Sequence, residues 1–205
     1  MQSHPQKFMQ YWIQFSDRLN LNETRATSLA SLLYFAYSSN HYHTHQHIVE
    51  CLELFHQIKD QLQDPIAVEL AIWFHDIIYD PKASDNEEKS AKIMMKHCIG
   101  ILKKPRLEKV FQWIVSTKKH QATTDQDLRY LLDIDLAILG SSEQRFEEYE
   151  QQIRFEYAWV ESEIYQMKRQ AVLQYFADME PLYQTLYFQE HFEKQAKINL
   201  KKVMV

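Results

Sequence analysis

Acidic side chains interrupt two strongly apolar segments of the chain. The first segment, AIWFHDIIYD, contains the adjacent pair His75 and Asp76, and the second, LLDIDLAILG, contains Asp133 and Asp135. On a helix these last two side chains lie about 200° apart, at roughly 100° per residue. Because burying an unpaired carboxylate is costly, at least one of them is expected to have a buried partner, either an arginine or a metal ion.

Four histidines alternate in the segment HYHTHQH. Imidazole and carboxylate groups together suit first-row divalent cations, so an inward-facing histidine favours the metal ion as the partner. His43 and His47 share a helix face, and His47 aligns with a buried stripe that includes Cys51. We expect His41 and His45 to point to solvent.

The composition is typical of an all-α protein. The 205 residues include two glycines, where average usage would give roughly fourteen. Sandwiches, barrels and dinucleotide-binding folds need more glycine at their turns. Apolar residues instead recur with a helical period along almost the whole chain. We predict a single domain, residues 1–205, built as a bundle of about ten helices.

Capping residues place the helices that must position the candidate side chains. Asp64 before a proline predicts the start of a helix that is apolar almost all round, and such a helix lies in the middle of a domain. Asp85 is predicted to cap the next helix through a capping box. Gly140 is predicted to end a later helix as its C′ residue, and Ser141 to cap the helix after it.

Charge and cysteine content exclude several functions. The chain has 23 basic and 28 acidic residues, a net charge of −5, and no basic tract, so double-stranded nucleic acid is a poor partner. Two cysteines are too few for a disulfide scaffold or a cysteine-based zinc site. We expect no membrane span and no signal peptide, and therefore a cytoplasmic protein.

The motifs in their order along the chain resemble the HD superfamily of metal-dependent phosphohydrolases, which are all-helical bundles. YHTHQHI, DPIAVELAIWFHDIIYDP, DNEEKSA, STKKH, LLDIDLAILG, IRFEYAWV and LYFQEHFEKQAKINL are similar to one bacterial branch of it. This resemblance covers nearly the whole chain. The metal ligands that it implies are His47, His75, Asp76 and Asp135.

The resemblance implies one divalent ion, which could be Mn, Fe, Co, Ni, Zn or Mg, and leaves a second ion open. Two histidines and two aspartates leave coordination positions free, as in catalytic sites. Adjacent residues diverge on a regular helix, so His75 and Asp76 reach one ion only if the helix is distorted or ends there. Asp133 would then orient a ligand or cap a helix, and His43 would contact a ligand or the substrate.

The activity that the resemblance implies is hydrolysis of a nucleotide or another small phosphate ester by a metal-activated water. Asp80, Glu87 and His120 are the candidates for proton transfer. The alternative for Asp80 and Glu87 is that they have no catalytic role and belong to a solvated loop and a helix cap. The alternative for His120, and also for His43, is to hold a second ion.

Four residues are candidates for substrate binding. His43 and Lys118 could contact a phosphate, Tyr79 could stack on a base, and Arg154 could hold a phosphate. The alternative for Tyr79 is that it packs in the hydrophobic core and does not contact the substrate. The alternative for Arg154, which we favour, is that it pairs with a glutamate or aspartate in a structural role.

Other functions remain open at this stage. HD-type scaffolds also support di-iron oxygenase and lyase chemistry, and a non-enzymatic module that binds a metal or a nucleotide is the third hypothesis. The expected partner is a small phosphorylated substrate, with neither a nucleic-acid duplex nor a membrane. A homodimer is left open.

Overall fold

The computed structural model describes residues 2–203, and within that range the protein is helical, with no strand. The predicted all-α class is confirmed, and the helices found in residues 2–203 number ten when the last two are counted as one. The predicted domain of residues 1–205 includes Met1, Met204 and Val205, which lie outside the described range. None of the helices described is long and apolar enough to cross a membrane.

The helices are α1 His4–Arg18, α2 Glu23–Ala36, α3 His45–Ile58, α4 Pro65–Phe74, α5 Asn86–Cys98, α6 Lys104–Ser116, α7 Gln126–Leu136, α8 Glu143–Glu156, α9 Ser162–Ala177, α10 Leu186–Phe188 and α11 Lys194–Val203. A π-helical turn, Gln189–Glu193, joins α10 to α11. A 3₁₀ turn, Ala137–Gly140, follows α7.

Helix α4 lies at the centre of the core, as its sequence predicts. All its residues from Ala67 to Phe74 are buried, because apolar side chains cover almost its whole circumference. Trp73 packs edge-on against Phe8 and Trp12 of α1, with ring centroids 4.9 and 5.3 Å away. This packing fixes the end of α4, where the His-Asp pair follows.

The caps of α4 and α5 differ in how well the sequence predicts them. Asp64 accepts a hydrogen bond from the backbone N–H of Ala67 at 3.0 Å, so the predicted start of α4 is confirmed. The capping box predicted for Asp85 is wrong. Its side chain makes no capping hydrogen bond and instead pairs with Lys89 at 2.7 Å, since an ion pair one turn along competes for the carboxylate.

The junction of α7 and α8 is built more tightly than the sequence suggests. Ser142, not Ser141, caps α8 by accepting a hydrogen bond from the N–H of Arg145. A Cβ atom at Gly140 would lie 2.7 Å from the carbonyl oxygen of Phe192. Glycine at this position therefore allows the C-terminal helices to approach the chain closely.

Candidate metal centre

His75 and Asp76 follow directly on the last residue of α4, Phe74. The N–H of His75 still donates to Ala71 O at 2.9 Å, as in a helix, and the chain then turns away. Adjacent residues diverge on a regular helix, but the helix ends here, so His75 and Asp76 can reach the same ion. His75 Nδ1 lies 2.9 Å from Ile72 O, so it donates to that carbonyl and leaves Nε2 free to bind a metal.

The second imidazole of the centre comes from α3. His47 Nε2 lies 3.1 Å from His75 Nε2, and both side chains are almost completely buried. Ligand atoms that bind one ion at 2.0–2.2 Å lie about 3 Å apart around it. The two ring nitrogens therefore have the separation expected of neighbouring ligands.

Two carboxylates complete the cluster. Asp76 Oδ2 lies 3.1 Å from His75 Nε2 and 3.6 Å from His47 Nε2. Asp135 Oδ1, from the end of α7, lies 3.3 and 3.4 Å from the same two nitrogens. The four ligand atoms all lie within 4.8 Å of one another. This group, which we call the metal centre, could hold a metal ion, and it is the set that the sequence predicts.

Electrostatics at the centre favour positive charge. Burial alone would raise the pKa of Asp76 and of Asp135, but the neighbouring histidines outweigh it and hold both pKa values well below the usual range. Burial alone would lower the pKa of His47 and of His75. For His75, the charges of Asp76 and Asp135 outweigh burial, and for His47 the opposing contributions include hydrogen bonds to both aspartates, so both pKa values are raised well above the usual range.

The chemistry of the donor atoms fits a divalent cation. Two imidazole nitrogens and two carboxylate oxygens suit first-row transition metals better than they suit calcium or magnesium, which prefer shells made of oxygen alone. The histidine side chains are 2–3 % exposed, whereas those of Asp76 and Asp135 are 15 and 16 % exposed. The carboxylates are therefore the part of the centre that lies nearest to solvent.

His43 lies at the edge of the centre, next to Asp76. Its Nε2 is 3.8 Å from Asp76 Oδ2, and its Nδ1 is 2.8 Å from Glu156 Oε2. The ring stacks on Tyr79 with 3.5 Å between centroids, and the Tyr79 hydroxyl lies 3.3 Å from that of Tyr157. The structure thus brings two of the four predicted substrate-binding residues, His43 and Tyr79, to one side of the metal centre.

Glu156 is a residue of this site that the sequence did not single out. Its Oε1 accepts hydrogen bonds from the backbone N–H groups of His41, Tyr42 and His43 at 2.8–3.1 Å. Burial raises the pKa of Glu156, but the hydrogen bond from His43 and its charge outweigh burial and leave the pKa lowered. The signal in the sequence is an acidic residue, Glu156, within the largely apolar segment IRFEYAWV, which also contains the candidate Arg154.

His120 lies on the other side of the centre, where its Nε2 is 2.9 Å from Asp135 Oδ2. This is the position from which a proton-transfer group could reach a substrate bound at the centre. His43 and His120 therefore flank the metal centre, each beside one of its two carboxylates.

Three predicted site residues lie in or beside the loop that follows α4, namely Asp80, Glu87 and Lys118. Asp80 is exposed and accepts a hydrogen bond from the N–H of Lys82 at 2.9 Å. Lys118 lies 3.6 Å from Glu87 and 3.0 Å from Glu88. These contacts favour the solvated-loop alternative for Asp80 and place Glu87 in the first turn of α5, where it pairs with Lys118. Glu87 and Glu88 together occupy the charge of Lys118.

The contacts of Arg154 are those of a structural residue. Its guanidinium donates to the carbonyl oxygens of Tyr157 and Val160 and to the hydroxyl of Ser162, at 2.8–3.3 Å. It thereby closes the C-terminal end of α8, where helix carbonyls lack partners. The structural alternative for Arg154 is the one that these contacts support.

Asp133 faces away from the centre. It is buried, and its carboxylate accepts hydrogen bonds from the N–H groups of Gln184 and Thr185 and from the Thr185 hydroxyl, at 2.7–2.8 Å. Burial raises the pKa of Asp133 to about 6, although these hydrogen bonds oppose the rise. Asp133 therefore holds the start of α10.

The expectation for His45 is wrong, and that for His41 is confirmed. His41 is exposed, whereas His45 is buried, with Nε2 2.9 Å from Tyr34 O and its ring against Phe8. Helices α1 and α2 cover this side of α3, so the helical period of α3 alone does not show that His45 is buried.

Comparisons with protein-family models, with curated proteins and with solved structures each gave no match. The chemistry of the metal centre is therefore inferred from its own side chains and from the sequence pattern.

Proposed function

We propose that this protein is a metal-dependent phosphohydrolase that acts on a nucleotide or another small phosphate ester. The observation that supports this most directly is the metal centre, in which buried imidazoles and partly accessible carboxylates converge within 4.8 Å. The resemblance of the motifs to the HD superfamily supports the type of reaction.

His47, His75, Asp76 and Asp135 would hold the ion. A bound divalent cation would supply Lewis acidity, which neutralises a phosphoryl oxygen and lowers the pKa of the attacking water. The partial exposure of the two carboxylates leaves one side of the centre open to the substrate. An open side is what distinguishes catalytic from structural metal sites.

His120 is the residue to which we assign proton transfer. Its Nε2–H donates to Asp135 Oδ2, so Nδ1 is the ring atom left to exchange a proton with a reacting group. His43 has the opposite arrangement. Its Nδ1–H donates to Glu156, and Nε2 lies towards Asp76, so that a doubly protonated ring would present Nε2–H to a phosphate oxygen.

Few cationic side chains remain for the charge of the substrate. Lys118 is paired with two glutamates, and Arg154 is bonded to backbone carbonyls. Neutralisation of the phosphate would therefore depend on the ion together with His43 and His120. A small phosphate ester matches such a compact set of positive charges better than a polyanion does.

A screen of the purified protein tests this proposal. Phosphate release would be measured on a panel of nucleotides and small phosphate esters, with Mn²⁺, Co²⁺, Ni²⁺ and Mg²⁺ varied. We expect Asp76→Asn to abolish release, and Asp60→Asn, an exposed aspartate just before α4, to leave it unchanged. No release from any ester with any metal, or full activity of Asp76→Asn, would contradict the proposal.

The same material discriminates the alternatives. Oxygen consumption that requires iron would point to a di-iron oxygenase, for which His43, His120 or Glu87 would have to supply further ligands. Cleavage that does not consume water would point to a lyase. Stoichiometric binding of metal and nucleotide without turnover would point to a non-enzymatic module.

A further inference from the structure

A cavity of about 440 Å³ opens beside the metal centre, on the side of His43. Its volume lies within the range of roughly 300–1,000 Å³ that is usual for small-molecule sites. Six aromatic side chains line it: Tyr42, Tyr79, Tyr149, Tyr157, Trp159 and Tyr165. A phosphate group alone does not need so many rings, and the mostly apolar wall is typical of a site for the rest of a small molecule.

The cavity and the metal centre share His43. One face of its ring stacks on Tyr79, a wall residue, while its Nε2 lies 3.8 Å from Asp76 of the centre. A group bound in the cavity is therefore separated from the metal ligands by little more than one imidazole ring. A small molecule that extends past the edge of this ring would contact both places.

Charge at the wall argues against a cationic ligand. The guanidinium of Arg169 lies 5.0 Å from the ring centroid of Tyr149, that of Arg154 lies 4.7 Å from Tyr165, and the Lys82 ammonium lies 5.2 Å from Trp159. Three positive charges beside these rings disfavour a further cation at the wall. A neutral, planar ring avoids that repulsion and can pack edge-to-face, or against a ring face that no cation covers.

We propose that this cavity binds a planar aromatic ring, and that the substrate is a phosphate ester that carries such a ring. The first half stands on the cavity itself. The second half rests on the proposed function, which places the phosphate at the metal centre.

Two non-hydrolysable ligands test the proposal. Phenylphosphonate and cyclohexylphosphonate carry the same charged group and rings of similar size, but only the first ring is planar. We expect calorimetry on the metal-loaded protein to show at least about tenfold tighter binding of phenylphosphonate, since stacking contributes about that much per ring. Adenosine, which has no phosphate, is expected to bind with or without metal.

Matched variants of α9 locate the effect. Tyr165→Leu should bring the ratio of the two dissociation constants close to one, while Tyr175→Leu, on the same helix but outside this cavity, should leave it unchanged. Trp159→Leu is a second wall variant for the case in which Tyr165→Leu does not fold, because Trp159 is 55 % exposed. It should reduce the ratio in the same direction.

The outcomes separate this proposal from the proposed function. Equal affinities for the two phosphonates, or a preference that both wall variants retain, would overturn the aromatic site even if phosphate esters are hydrolysed. A planar-ring preference that the wall variants abolish would establish the aromatic site even if no ester releases phosphate, and in that case the phosphohydrolase proposal alone would fail.

Discussion

His120 Nε2 lies 2.9 Å from Asp135 Oδ2, whereas Oδ1 of the same carboxylate faces His47 and His75. One aspartate thus links the metal centre to a histidine outside it. His120 has a backbone φ of 48°, in the left-handed region. A residue other than glycine in that region costs of order 1–3 kcal/mol, and such costs are typical of functional sites.

Replacing His120 should separate metal binding from turnover. We expect His120→Ala to keep the metal, because His120 is outside the four-residue group, and to lower kcat about 10²-fold or more, the usual contribution of a proton-transfer group. Elemental analysis and phosphate release measure the two effects. His4→Ala, at an exposed histidine, is the control. Loss of metal in His120→Ala would instead make His120 a ligand and favour a second ion.

Removing Asp76 should affect metal binding far more than stability. In metal-free protein, Asp76→Ala leaves Asp135 within 3.4 Å of both histidines, so its cost should stay below the roughly 2–5 kcal/mol of a core truncation such as Ile48→Ala. Urea unfolding measures both variants, and elemental analysis should find no metal in Asp76→Ala. A loss of stability equal to that of Ile48→Ala would assign Asp76 a structural role.

Glu156 should act through His43. In Glu156→Gln an amide N–H₂ can face His43 Nδ1, which must then carry no proton to accept the hydrogen bond, and we expect a loss of about 1–3 kcal/mol of stability because the charge-assisted bond to the carboxylate is lost. Metal should remain bound while kcat falls, and NMR of the His43 ring should show the other tautomer. The exposed Glu161→Gln is the control. An unchanged His43 tautomer together with unchanged kcat would leave Glu156 with only a structural role.

The ion pair between Asp64 and Arg106, at the start of α4, should make the stability of the protein depend on pH in the acidic range. Burial would raise the pKa of Asp64, but the hydrogen bond from Arg106 outweighs it and lowers the pKa. The ionised folded form is therefore favoured, so the stabilisation is complete above the unfolded pKa near 3.9 and is lost as the pH falls through the lower folded value.

Asp64→Asn isolates this effect, because asparagine caps a helix as well as aspartate does but carries no charge. We expect it to be less stable than the wild type by about 1 kcal/mol or less at pH 7, as befits a partly exposed ion pair, with the difference disappearing below about pH 4. Urea unfolding at several pH values measures it. A difference that persists at low pH would show that charge is not its cause.

The sequence predicts those parts of the site that depend on local pattern. The apolar run around His75 and Asp76 indicates a central helix, and burial within such runs marks the acidic ligands. The burial of His45 could not be read in the same way, because it depends on Phe8 and Tyr34 from other helices. Glu156 is more than a hundred residues from the loop that it holds, so only the folded chain shows the contact.

Asp133 and Asp135 lie two residues apart on α7 and face opposite sides of it, one towards the start of α10 and the other into the metal centre. The C-terminal segment thus contributes to the centre without supplying a ligand. A chain cut before Gln184 would leave Asp133 without the donors that it now binds, and the end of α7 would lose its anchor. Weaker metal binding after such a cleavage would then arise from a cut that is remote from every ligand along the chain, through the loss of support on the back of one helix.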